Sequence, residues 1–109
     1  MIVTTSHEVA GRRVVRTLGL VRGNTIRARH LGSDITAFLR NVVGGEISEY
    51  TKLFAESREQ AIDRMVEEAR DLGADAVVGT RFSTSMVMTG AAELMAYGTA
   101  VVLEGGGEG

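Results

Sequence analysis

Between Arg81 and Glu104 the only charged side chain is Glu93, and this uncharged stretch constrains the fold more than any other feature of the chain. Val77-Val78-Gly79-Thr80-Arg81-Phe82 leads into it, and Tyr97-Gly98-Thr99-Ala100-Val101-Val102-Leu103 closes it, both rich in β-branched and aromatic residues. The spacing predicts two strands joined near Thr89-Gly90. An extended, uncharged hairpin left at an open sheet edge templates aggregation, so soluble proteins cover it. Assembly with further copies of the chain is the simplest cover.

The rest of the chain supplies what packs on these strands. Ile2 to Thr5 reads as a short strand and Arg13 to Val21 as a longer one. Gly23-Asn24 then predicts a tight turn or bulge, with Thr25 to Arg29 returning as extended chain. Val14, Leu18 and Leu20 alternate with Val15 and Val21, so both faces of this strand carry apolar residues. Ser33 or Asp34 caps a short helix with Ile35, Phe38, Leu39 and Val42 on one stripe, ended by Gly44-Gly45. Ser48 caps the longest helix, whose stripe is Phe54, Ala61, Met65, Ala69 and Leu72 and whose stop is Gly73. The expectation is an α+β fold of two layers, an antiparallel or mixed sheet on one long and one short helix, completed by neighbouring subunits. Residues 1–104 form one domain and the glycine-rich tail, 105–109, lies outside it.

Several chemistries are excluded at this stage. The 109 residues include no cysteine, which removes disulfides, thiolate metal sites and a cysteine nucleophile. No apolar run is long enough for a membrane helix, and the start does not read as a signal peptide, so the expected compartment is the cytoplasm. The net charge of −2 conceals an asymmetry: seven arginines face Glu8 and Asp34 through Val43, while acids outnumber bases beyond it. A basic front and an acidic back suit pairing within or between subunits. Nucleic acid is not expected, because no aromatic residue interleaves in sequence with the arginines from Arg12 to Arg29.

Leu18-Gly19-Leu20-Val21-Arg22-Gly23, Arg40-Asn41-Val42-Val43-Gly44-Gly45-Glu46, Leu72-Gly73-Ala74-Asp75-Ala76-Val77-Val78-Gly79 and Tyr97-Gly98-Thr99-Ala100-Val101 follow one another in a single order. With Arg64-Met65 and Glu68-Ala69 between them, they make the chain resemble the YbjQ family of small bacterial and archaeal proteins without an established activity. The resemblance implies a "putative heavy-metal-binding" label and a homopentameric ring. Neither follows from composition or spacing.

Three candidate sites follow. Soft metals favour sulfur ligands; Met86-Val87-Met88 would put two thioethers on one side of a strand, with Met95 facing them across the hairpin as a Cu(I) site. Packing of the same methionines at a core or interface is the competing reading. His7 and His30 stand without a partner at ligand spacing. The second candidate is a pocket for a small polar ligand built from Arg40, Asn41, Gly44, Gly45, Glu46 and Tyr50, against a turn stapled by Arg40 and Glu46. Catalysis finds no nucleophile, base and orienting group together, so the reading leans away from an enzyme, and no cofactor is identifiable. An oligomeric binding or scaffolding protein is the function these observations imply. The alternatives are metal sequestration and an enzyme with an interfacial active site.

Overall fold

The long helix forms where the sequence predicts it, and its end shows why. The structure, a computed structural model, describes residues 1–28, 48–88 and 91–105. Helix α1 spans Ser48–Asp71. It stops at Gly73, which takes φ 86° and so reverses the chain at little steric cost. The Gly73 N–H donates to the Arg70 carbonyl at 2.9 Å and the Ala74 N–H to the Ala69 carbonyl at 3.0 Å. These are the paired bonds of a Schellman stop, and Arg70 sits favourably at the negative helix end. Ala61, Met65 and Ala69 are fully buried as expected. Phe54 and Leu72, assigned to the same stripe, are 40% and 46% exposed, and Ser57 takes a buried place instead. A helix crossing a narrow sheet buries its middle turns and leaves its ends overhanging.

Four strands form a mixed sheet in the order β1-β3-β4-β2, with β1 at Ile2–Val3, β2 at Val14–Ala28, β3 at Ala76–Met88 and β4 at Ala91–Leu103. β1 runs parallel to β3, while β4 pairs antiparallel with β3 and β2. The predicted hairpin is therefore present; Thr89 and Gly90 themselves lie outside the described residues, as does the short helix expected from Ser33 to Gly45. The sheet is α+β in class and mixed because the parallel β1 joins an antiparallel meander.

Two sequence expectations for β2 are corrected. Gly23-Asn24 makes no turn: the strand continues through it, pairing Gly23 with Ala96 and Asn24 with Met95. Glycine is needed there for another reason. A Cβ on Gly23 would lie 2.5 Å from the Met65 nitrogen and 2.8 Å from the Arg64 Cβ, and would also strike the Ala61 carbonyl. The missing side chain lets α1 lie directly on the strand. Nor does Leu18 share a face with Leu20. Register shifts between Val14 and Arg16 and between Thr17 and Gly19 interrupt simple alternation, and a bulge turns the following side chains over. Leu18 packs with Val21 beneath the helix, Val14 joins the other cluster, and Leu20 is 63% exposed.

The core is consequently split between the two sides of the sheet. Beneath α1 lie Val21, Ala61, Met65, Ala69, Val77, Ala96 and Ala100. Ala76, Val78, Val101 and Leu103 form a second cluster, against which Ile2, Val9 and Val14 pack. Hydrogen bonds from the Leu103 N–H to Asp75 Oδ2 and from the Asp75 N–H to the Val101 carbonyl tie this end together. Strands of 13 to 15 residues rise about 45 Å, and the molecule is 54 Å long with a radius of gyration of 17.3 Å. A compact chain of this length has a radius of about 13 Å.

Candidate functional site

The two faces of the sheet differ because β2 and β4 alternate. Val21, Gly23 and Thr25 face α1 together with Gly98, Ala96 and Leu94, with which they pair. Leu20, Arg22, Asn24 and Ile26 face the other way, alongside Thr99, Tyr97, Met95 and Glu93. β3 adds Arg81 opposite Tyr97, Ser83 opposite Met95 and Ser85 opposite Glu93. This second face therefore presents cross-strand rows, of which Arg22–Tyr97–Arg81 and Asn24–Met95–Ser83 are adjacent.

Between these rows lies a shallow depression of 330 Å³ lined by Leu20, Arg22, Ser83, Met95 and Tyr97. Its apolar floor comes from Met95, Leu20 and the Tyr97 ring. The Arg22 guanidinium makes no hydrogen bond or ion pair with any described residue, although its main-chain N–H donates to Glu68 Oε1 at 2.8 Å. Across Tyr97, Arg81 Nη1 donates to the carbonyls of Thr5 at 3.0 Å and Thr80 at 2.8 Å, which fixes that side chain in place. Asn24 Nδ2 donates to Glu93 Oε2 at 2.6 Å, so the one acid of the hairpin already has a partner. A second, larger hollow is lined by residues 7–14 and Glu104; it carries both acids and bases, and Arg13 pairs with Glu104 at 3.4 Å.

The predicted site residues fall in different places. Met86 pairs with Ala92, whereas Met95 pairs with Ser83, an odd number of residues away. Met86 thus lies on the α1 side of the sheet and Met95 on the other, and the register does not bring the two thioethers together. A shift between Met86 and Met88 also interrupts the alternation expected of that pair. His7 lies beside Gly79, with its ring about where a side chain on that glycine would stand. Among the described residues no three histidine, aspartate or glutamate side chains converge as a metal-binding group. Among the described residues the donor set does not fit a heavy-metal site. Arg40, Asn41, Gly44, Gly45, Glu46 and His30 lie outside the described residues, and Tyr50 lies in the first turn of α1.

The fold defines a class: a small α+β domain with a long helix packed on a long mixed sheet. Residues 1–104 match the family model described as "Putative heavy-metal-binding", and the chain belongs to that family, YbjQ. A UPF0145 protein of Methanosarcina acetivorans is 60% identical over 101 residues, covering 93% of this chain and 95% of the relative. One from Dehalococcoides mccartyi is 57% identical over 104 residues, 95% of this chain and all of the relative, at 100%. A crystal structure of a protein of unknown function from Pediococcus pentosaceus, assigned to the DUF74 family, matches with a TM-score of 0.66. It is 19% identical and covers 95% of this chain and 98% of its own, which establishes the shared fold and no more.

Proposed function

We propose that the chain works as a homo-oligomeric binding or scaffolding protein, assembled through the outer edge and far end of β3. The observation that carries this reading is the bareness of that edge. β1 and the residues after it cover β3 only as far as Thr80, whose N–H donates to the Thr4 carbonyl at 3.0 Å. Beyond it no strand pairs with the outer side of β3 among the described residues. Phe82 and Met86 on this stretch are 43% and 75% exposed. An unpaired, uncharged edge with exposed apolar side chains is what a second copy would cover. The family resemblance supports a ring of five. The segment from Arg40 to Tyr50 is where such an oligomer would hold a small polar ligand, on the sequence argument alone. The metal alternative draws on the family description, and within this reading its donors would come from more than one chain.

Phe82→Asp and Met86→Asp test the assembly. Both positions are exposed enough to leave the subunit folded, so light scattering should fall toward the 11.6 kDa of one chain while the helical circular dichroism persists. Val101, in contrast, is buried in the subunit's own core and would report folding instead. Unchanged oligomer mass in both aspartate variants would end the proposal.

A further inference from the structure

We propose that the depression on the sheet face opposite α1 is a binding site for a small organic anion with a flat apolar body, such as an aromatic carboxylate. Three features meet there and each selects part of the ligand. The Tyr97 ring, Met95 and Leu20 offer an apolar surface, with Met95 and Tyr97 half-buried and therefore held by their neighbours. Arg22 at the rim supplies a guanidinium without a partner among the described residues, and its planar fork matches a carboxylate. Ser83 adds a hydroxyl on the opposite wall. At 330 Å³ the hollow is at the lower end of small-molecule sites, so the ligand is about the size of one or two fused rings.

The placement of the charges decides the sign of the ligand. Glu93, the acid nearest in the same strand, is bonded to Asn24, and Glu68 is turned to the strand edge by its bond to the Arg22 N–H. Arg81 flanks the far side of Tyr97, held by two carbonyls that leave its charge uncompensated by any carboxylate among the described residues. Two guanidinium-bearing residues, Arg22 and Arg81, thus flank the ring from either side, while the two carboxylates keep their charge but are committed to other donors, so the groups nearest the ring favour an anion. The depression opens on the opposite side of the sheet from Phe82 and Met86, and of its lining only Ser83 belongs to the stretch of β3 offered for assembly.

The test uses 2-naphthoate and its neutral counterpart 2-naphthamide, titrated into the full chain and followed by the methionine methyl resonances. Light scattering on the same samples records the assembly state separately. The expected result is a saturable shift of the Met95 methyl by 2-naphthoate. Arg22→Gln should weaken this binding about tenfold, and Arg22→Lys by less, while 2-naphthamide binds both variants as it binds the native chain. No saturable Met95 shift would overturn the proposal, as would equal weakening of acid and amide. A larger shift at Met86 than at Met95 would do so too, since it would mean general adsorption to exposed apolar surface.

Discussion

β2 and β3 are the two long margins of one sheet, yet among the described residues side chains of α1 bond to the outer edge of β2 alone. On β2, Glu68 accepts the Arg22 N–H and Arg64 donates to the Asn24 carbonyl, so two outward main-chain groups already have partners. On β3 the cover stops at Thr80, and the next seven or eight residues have no strand beside them among the described residues. A strand edge is an unfinished hydrogen-bonding surface, and a chain can finish it with its own side chains or leave it for another strand. Here β2 is finished with side chains, and under the proposed assembly β3 is left for another strand. The difference arises because α1 lies over β2 and β4 and reaches β3 only at its end, so its long polar side chains can hook around just one edge.

The closest approach of α1 to β2 makes the largest prediction. Gly23→Ala pushes a methyl into helix main chain at Ala61 and Met65, which cannot swing aside as a side chain would. The change should destabilise the subunit by about 3 kcal/mol, measured as a lower urea midpoint. If α1 moves away to make room, Glu68 and Arg64 lose their strand bonds and the amide of Arg22 should exchange faster. A stability unchanged within error would mean that the helix does not rest on Gly23, and the asymmetry between the edges would lose its cause.

Gly23 also shows what could be read from the sequence and what could not. The glycine stop at Gly73, the buried stripe at Ala61, Met65 and Ala69, and the hairpin strands were legible because each depends on residues close in sequence. Glycine at position 23 has two local explanations, a turn or a close approach, and only the position of α1, forty residues away, decides between them. Bulges before Leu20 turned the side-chain alternation over, which no count of apolar residues reveals. The row Arg22–Tyr97–Arg81 was hidden for the same reason. No aromatic residue lies among the early arginines in sequence, but antiparallel register places Tyr97 between one of them, Arg22, and the later Arg81 in space. A scan for rows that each possible register would create could have found it. The polar candidates from Arg40 to Glu46 fall outside the described residues, so the comparison of edges says nothing about them.

Glu68→Ala probes the closed edge with an intermediate effect. Loss of its carboxylate removes the acceptor of the Arg22 main-chain N–H, at a site where water can partly replace it. The expected loss is about 1 kcal/mol, with Arg22 amide exchange several-fold faster by hydrogen-exchange measurement. The variant should also self-associate more than the native chain at equal concentration, because an uncovered β2 then resembles β3. A loss of stability without any change in association would separate the two roles and leave the hydrogen bond as purely structural.

The smallest expected effect comes from Arg13→Ala, and it tests whether charge alone closes a margin. Arg13 and Glu104 stand 3.4 Å apart with side chains 69% and 59% exposed. At that exposure, solvent screens the attraction and two long side chains lose freedom in making it, so the pair contributes roughly 0.5 kcal/mol or less. The strands at this end are joined by something firmer: the Glu104 N–H donates to the Arg13 carbonyl at 2.7 Å, a bond the substitution leaves in place. The urea midpoint of Arg13→Ala should therefore match that of the native chain within error, at low salt and at about 1 M salt alike. A low-salt loss well above this size that vanished in high salt would show that an exposed ion pair can fasten a sheet margin here. Glu68 and Arg64 would then need to be weighed as charges first and as hydrogen-bonding groups second, which is the reverse of the order that their contacts with main-chain atoms imply.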